Sequence, residues 1–498
     1  MKENNKVSRR AFLGTGAAAA AAITIVPSNT IAGLGHAAPS DKLNIAGVGV
    51  GGMGFGNLKN LKSENIVGLC DVDWKYADNC FKAFPDAKKY KDWRVMYDEL
   101  GKSIDGVLVA TADHTHAIIA SHAITMGKSV YVQKPLTHTV YESRLLTKLA
   151  DKHKVASQMG NQGSSQEGVN LTCEWIASGE IGEVTKVEAF TDRPIWPQGL
   201  NTPKATPPVP DTLDWDLFTG PAKLVPYNEI YHPWNWRGWW NYGTGALGDM
   251  ACHILHPVFV GLELGYPIKA QGNSTLLLQD CAPTAQSVKL TFPARKTKVG
   301  AKINLPQVEV YWFDGGIKPM LPAGWPSGKN PNDSGGCVFF HGTKGVLVCG
   351  CYGVNPWILR PDGTVSKPDN APKFRRRVTA SHEMDWVRAA KESPASRVKT
   401  ASDFSLSGPF NEMVVMGVLA VRLQTLNKEL EWDGINMKFT NITDQEKIKI
   451  VVEDKFSIHD GHPTFEKVYT DPVPATEFAA ELIKHKYRAP WSLPEMPA

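Results

Sequence analysis

Asp249 and His253 stand four residues apart, the spacing that places two side chains on one face of a helix. A carboxylate beside an imidazole can orient the ring and let it take a proton from a bound hydroxyl. His256 follows on the same stretch, so Asp249, His253 and His256 also read as a possible metal-ligand set on one helix face. A third reading involves no chemistry: Asp249 caps or pairs, and His253 is a satisfied core histidine.

A second group of residues suits phosphate. The chain reads Gly47-Val48-Gly49-Val50-Gly51-Gly52-Met53-Gly54, in which Gly49, Gly51 and Gly54 fit G-x-G-x-x-G. Gly49 permits the tight turn, Gly51 the close approach of backbone to a pyrophosphate, and Gly54 the packing of helix on strand. The helix N-terminus adds unpaired N–H groups and a favourable dipole. Asp71, ending the next apolar run, would accept from an adenosine ribose and repel a 2′-phosphate, which favours NAD. Lys75 lies near enough in sequence to offset that repulsion, so NADP stays open, and Asp73 reads as a helix cap.

Upstream of Asp249 lies the aromatic run Tyr231-His232-Pro233-Trp234-Asn235-Trp236-Arg237-Gly238-Trp239-Trp240. Sugar rings stack their C–H faces on indoles, and polar neighbours bond the hydroxyls, so Tyr231, His232, Trp236 and Arg237 are candidate substrate contacts. The competing account is an aromatic core cluster.

These residues need a frame. Apolar runs at Leu43–Val48, Ile66–Val72, Ile104–Ala110, Ser129–Gln133 and Val155–Met159 read as strands, with helices near 55–62, 75–84, 114–126 and 139–152. That alternation predicts a doubly wound parallel sheet with its ligand at the carboxyl ends of the strands. Thr111 and His116 follow the third strand, Lys134 the fourth, and Asn161-Gln162 the last. Thr111, His116, Lys134 and Asn161, with Gly49, Gly51, Gly54 and Asp71, are the expected cofactor contacts. Beyond residue 160 come a helix near 167–178, a strand near 184–192, a Pro- and Trp-rich loop from Arg193 to Trp240, and alternating runs near 286–292, 300–304, 307–313, 336–340 and 345–349. Helices near 381–392 and 409–427 and an extended tail from Tyr487 follow. The fold class is therefore α/β: a Rossmann domain over 39–160, then an α+β domain over 161–498 with a large, mainly antiparallel sheet.

Gln133-Lys134-Pro135 and the stretch Gly243-Thr244-Gly245-Ala246-Leu247-Gly248-Asp249-Met250-Ala251-Cys252-His253 carry a resemblance. The chain resembles the glucose–fructose oxidoreductase, inositol dehydrogenase and rhizopine catabolism (Gfo/Idh/MocA) family over roughly residues 42–270, with the family's E-K-P present as Q-K-P. The resemblance implies that Lys134, Asp249 and His253 form the catalytic set, and His256 stands where the family usually has a carboxylate. The assignment is His253 as general base, Asp249 as its orienter, and Lys134 as a cation that holds the hydroxyl and lowers its pKa. His256 joins the candidate substrate contacts. No metal is assigned.

Residues 1–38 stand apart. Ser8-Arg9-Arg10-Ala11-Phe12-Leu13 precedes an apolar run, Ala17–Val26, and a small-residue stretch, Gly33–Ala38, and resembles a twin-arginine export signal. A periplasmic or otherwise exported enzyme meets no circulating nicotinamide pool, so its cofactor is expected to be tightly bound and recycled. The expected function is oxidation of a secondary hydroxyl on a sugar, polyol or glycoside. The alternatives are a redox-neutral, NAD-dependent glycoside hydrolase and a non-catalytic sugar-binding module.

With 54 Lys and Arg against 50 Asp and Glu, the charge balance argues against a nucleic-acid partner, and the Lys373–Arg377 cluster reads as a solvated loop. The eight cysteines contain no C-x-x-C pair, which disfavours zinc and redox motifs. No apolar span of bilayer length follows the N-terminal region, so no membrane domain is expected after signal cleavage. An antiparallel sheet of this kind predicts a dimer or tetramer.

Overall fold

Short β-rich runs separated by helical crossovers pair in parallel, and the strands between Asn44 and Met159 do so throughout. The computed structural model describes residues 41–297 and 303–497. The export signal read at 1–38 lies outside the described residues, as does most of the strand expected near 300–304.

Strands β1 (Asn44–Val48), β2 (Asn65–Cys70), β3 (Lys88–Tyr90), β4 (Gly106–Val109), β5 (Ser129–Val132) and β6 (Ser157–Met159) form a six-stranded sheet in the order β3-β2-β1-β4-β5-β6. This is the dinucleotide-binding order, with its topological switch point between β1 and β4. Helices α1 (Met53–Asn60), α2 (Trp74–Ala83), α3 (Trp93–Leu100), α4 (Asp113–Thr125) and α5 (Val140–His153) make the crossovers. Their starts are chemically specified: Asp73 accepts from the N–H groups of Lys75 and Tyr76, Asp92 caps α3, and Thr139 with Glu142 forms a capping box on α5. Sequence patterning omits β3 and α3. β3 is three residues long with two exposed lysines, too short and too polar to register as an apolar run.

The second sheet has ten strands: β7 (Val184–Thr191), β8 (Lys269–Ser274), β9 (Gln286–Phe292), β10 (Val308–Phe313), β11 (Gly336–Gly342), β12 (Gly345–Gly350), β13 (Trp357–Leu359), β14 (Val365–Ser366), β15 (Leu430–Asp433) and β16 (Lys438–Phe439). Its order is β14-β13-β12-β11-β7-β10-β9-β8-β15-β16, antiparallel except where β7 meets β10. The remaining helices are α6 (Glu167–Ala177), α7 (Trp215–Thr219), α8 (Gly245–Ile254), α9 (His256–Gly261), α10 (His382–Lys391), α11 (Phe404–Arg422) and α12 (Ala475–Ile483).

Two local readings change and one is refined. α11 begins at Phe404 rather than near 409, because Asp403 caps it and burial of Phe404, Phe410, Met413 and Val414 holds Pro409 inside a helix it would otherwise start. By length and composition α11 could cross a membrane, yet it lies inside the core against α5, α8 and β8. The Lys373–Arg377 cluster is an exposed loop, as read, but its arginines are pinned: Arg377 pairs with Glu167 and Glu174, and Arg376 with Asp385 at 2.6 Å. An antiparallel hairpin, Val451–His459 with His462–Tyr469, was not expected, although Asp460-Gly461, both at positive φ, is a strong turn signal. Finally, α10 returns to the first sheet, where Trp386 and Val387 join Ile45, Leu69, Leu108 and Tyr131 in one core cluster.

Candidate active site

The loops after β1, β2, β4 and β5 open onto one cavity of about 420 Å³ that reaches from the glycine loop to α8. Gly49 has φ +79°, and a Cβ there would lie 2.6 Å from the Ala110 carbonyl; a Cβ on Gly54 would lie 2.1 Å from the Gly49 oxygen. Loop and helix are thus pressed together as a pyrophosphate cradle requires. Asp71 Oδ2 accepts from the N–H groups of Val50 (2.8 Å) and Gly51 (2.9 Å), and its Oδ1 from that of Asp73 (3.0 Å). Burial lifts the Asp71 carboxyl to about 6, against the opposing pull of these backbone N–H groups. The cradle, the carboxylate beside it and the open cavity fit a nicotinamide dinucleotide.

The other end is built on three elements. Lys134 leaves β5, Asp249 and His253 share the inner face of α8, and Arg237 comes from the turn Asn235–Gly238. Lys134 Nζ donates to Asp249 Oδ1 at 2.7 Å, and Arg237 Nε donates to the same oxygen at 3.1 Å. The Arg237 guanidinium lies 3.9 Å above the Trp234 ring centre and 4.3 Å above that of Trp236, so stacked indoles hold it in place. Burial pushes the Asp249 carboxyl up, but Lys134 and Arg237 outweigh it and hold the group well below the usual carboxylate range. Burial and then Lys134 bring His253 down to about 3, so its imidazole is neutral at physiological pH. Its Nδ1 is buried without a partner, and the ring lies 4.5 Å from that of Tyr352, leaving Nε2 to face the cavity.

The expectation that Asp249 orients His253 is therefore corrected. Sharing a helix face made the pairing plausible, but Lys134 and Arg237 reach the carboxylate from other elements, and no hydrogen bond joins it to His253. Thr111, His232, Trp236 and Arg237 line the cavity, as do Gly49, Gly51 and Asp71. Five candidates do not, one of them Gly54, which packs against the Gly49 carbonyl beneath the loop. His116 is committed to the carbonyls of Pro135 (2.8 Å) and Thr111 (3.1 Å), bracing the β4 and β5 loops. Asn161 bonds His256 Nδ1 at 3.1 Å behind the cavity wall, where the His256 ring packs on Phe410; the neighbouring Gln162 lines the cavity instead. Tyr231 is buried among Trp215, Trp239 and Tyr242, so this end of the aromatic run is core. The three-ligand metal arrangement fails for the same reason, since His256 turns toward Asn161 and Asp249 toward two cations.

Sequence reasoning missed Tyr352, Arg193, Trp196, Trp93 and Trp491, all of which line the cavity. Tyr352 has φ 63° in a turn between Cys351 and Gly353, a conformation that non-glycine residues adopt mostly at special sites. The glycines on either side of Cys351-Tyr352 were its only sequence signal.

Residues 43–161 match the model of the Gfo/Idh/MocA oxidoreductase family, NAD-binding Rossmann fold, and residues 180–299 match that family's C-terminal alpha/beta domain. The chain belongs to the Gfo/Idh/MocA family. This family member is 24% identical over 144 residues to a Bacillus subtilis protein named glucose-6-phosphate 3-dehydrogenase, a match covering 28% of this chain and 40% of the relative. It is 27% identical over 209 residues to a Shewanella pealeana protein named glycosyl hydrolase family 109 protein, covering 37% and 46%. The matches thus span less than half the length of these relatives. A solved Bordetella pertussis dehydrogenase in complex with NADH and UDP-GlcNAcA superposes with a TM-score of 0.51 at 15% identity, over 79% of this chain and 99% of that one, and shares its fold.

Proposed function

We propose that this Gfo/Idh/MocA member is an NAD-dependent oxidoreductase that converts a secondary hydroxyl of a sugar, polyol or glycoside to a keto group. One observation carries the reading: Lys134, Asp249 and His253 face the same cavity as the glycine cradle and Asp71. Gly49 and Gly51 would hold the pyrophosphate, with Gly54 packing the helix close behind them, and Asp71 would hold the ribose. When bound, the nicotinamide supplies the hydride acceptor.

The chain's own groups do the rest. His253 Nε2, neutral and open to the cavity, takes the hydroxyl proton. Lys134 Nζ donates to the hydroxyl oxygen and stabilises the charge that develops there. Asp249 keeps Lys134 in position, and Arg237 shares the load. Trp196, Trp234 and Trp236 offer indole faces to a sugar ring.

A redox-neutral glycoside hydrolase is the second reading, favoured by the likeness to the Shewanella pealeana protein. Oxidation beside a C–H bond acidifies it, the aglycone leaves by elimination, water adds, and the hydride returns. Export through the twin-arginine route, a tightly held recycled nucleotide and a dimer or tetramer complete the proposal.

The test has two parts. Denaturing the purified protein and analysing the released small molecules by mass spectrometry should yield NAD. Anaerobic mixing with a panel of glycosides in deuterated water should give keto product and a rise in the reduced-nicotinamide band. Deuterium at C2 with free aglycone and no net reduction would replace the dehydrogenase reading with the hydrolase.

A further inference from the structure

One wall of the cavity is completed by the C-terminal stretch that the sequence marks only as an extended tail. After α12 the segment 484–497 crosses the first domain, held at several points. Tyr487 Oη donates to Glu142 Oε1 at 2.6 Å, and Lys148 Nζ donates to the Pro497 carbonyl at 3.1 Å. Arg488 donates to Asp216 Oδ1 at 2.8 Å through Nη1 and to the Gly220 carbonyl at 3.0 Å through Nη2. Leu493 and Met496 pack against the main core.

Between these anchors Trp491 turns inward and becomes part of the cavity wall. Its ring lies 6.3 Å from that of Trp93, and the Arg94 guanidinium sits 4.3 Å above it. Arg94 is itself fixed, with Nε 3.0 Å from Asp92 Oδ1 and Nη2 2.6 Å from Oδ2. Trp491, Trp93 and Ile119 line the cavity beyond Asp71 together with Leu217 and Phe218. The last two sit on α7, the helix that Arg488 pins. Asp71 marks the ribose position, so this aromatic and aliphatic wall stands where a flat, weakly polar purine would lie.

We propose that segment 484–497 is a strap that closes the adenosine end of the dinucleotide site, with Trp491 as a purine contact, and that nucleotide exchange requires its release. The inference rests on reading the cavity as a dinucleotide site. It gives a physical basis for a resident cofactor: one polypeptide segment covers the nucleotide and is tied to α5, α7 and the main core.

The experiment follows nucleotide rather than turnover. Full-length protein, Trp491→Ala, Trp491→Phe, Arg94→Gln and a truncation lacking 489–498 are loaded with NAD+ and desalted, and release is timed by displacement with excess unlabelled NAD+. Loss of one base-to-aromatic stack should speed release in Trp491→Ala and the truncation by roughly 5- to 100-fold. Trp491→Phe should keep most of the retention, and Arg94→Gln should fall between, which preserves the test if the larger changes unfold the protein. Release within about twofold of wild type in the folded variants would overturn the strap. Should wild type neither retain nor take up NAD+, the dinucleotide reading falls and the strap with it. Should wild type bind NAD+ and Trp491→Ala bind it equally well, only the strap falls.

Discussion

Asp249→Asn tests the electrostatic core of the site. The carboxylate faces Lys134 at 2.7 Å and Arg237 at 3.1 Å, and all three side chains are largely buried. At an effective dielectric of about 20, these pairs attract by about 6 and about 5 kcal/mol, most of which only offsets the cost of taking three charges out of water. The substitution keeps the shape and removes the anion, leaving two neighbouring cations without the carboxylate that both contact. Breaking a buried pair in this way costs about 3–5 kcal/mol, so the urea midpoint should fall clearly with little change in slope. Catalysis should suffer separately: a Lys134 no longer held in place supplies less oxyanion stabilisation, and single-turnover reduction of the bound nicotinamide should slow by about 100- to 1,000-fold. The Lys134→Met/Asp249→Asn double variant removes one of the stranded cations and should regain part of the lost stability, a coupling readable as a double-mutant cycle. An unchanged urea midpoint, or turnover within about threefold of wild type, would refute the reasoning that Asp249 neutralises and positions Lys134.

Three further expectations follow from the same geometry. His253→Ala should lower turnover by about 100- to 10,000-fold while bound nucleotide survives desalting, and the wild-type rate should show no histidine inflection near 6.5, since burial holds that imidazole at about 3. Nucleotide affinity, measured by calorimetry across pH, should weaken as pH falls through about 6, where Asp71 gains a proton and loses its charge as a ribose acceptor. The nucleotide-free protein should behave oppositely. A carboxyl raised from 3.8 contributes stability that is full below that value and lost as pH rises through about 6, so an alkaline gain in stability traced to Asp71 would count against its burial. Gly54→Ala should abolish nucleotide retention, because its Cβ would meet the Gly49 carbonyl oxygen at 2.1 Å; retention at the wild-type level would show that the loop has room to yield.

Much of the fold was legible because its signals are local. Strand, glycine turn and helix follow one another between Asn44 and Asn60, and the capping residues Asp73 and Thr139 act within a few positions of themselves. β3 escaped notice because a three-residue strand with exposed lysines has too little apolar area to leave a pattern. The hairpin at 451–469 escaped although Asp460-Gly461 announced its turn, because its strands are mostly exposed and carry no clean alternation.

The sequence alone determined which residues could carry chemistry and that a dinucleotide cradle would stand at the edge of a parallel sheet, since both depend on residue type and short-range spacing. Tertiary structure decided whom each residue serves. Asp249 and His253 share a helical face, yet the partners of Asp249 come from positions 134 and 237; His256 and Asn161 bond one another, and Tyr231 sinks into the core. Trp491 reaches the cavity from the far end of the chain. Spacing along a helix limits where side chains point, but which buried charge finds which partner depends on groups brought together from distant segments, and that information is absent from any local window.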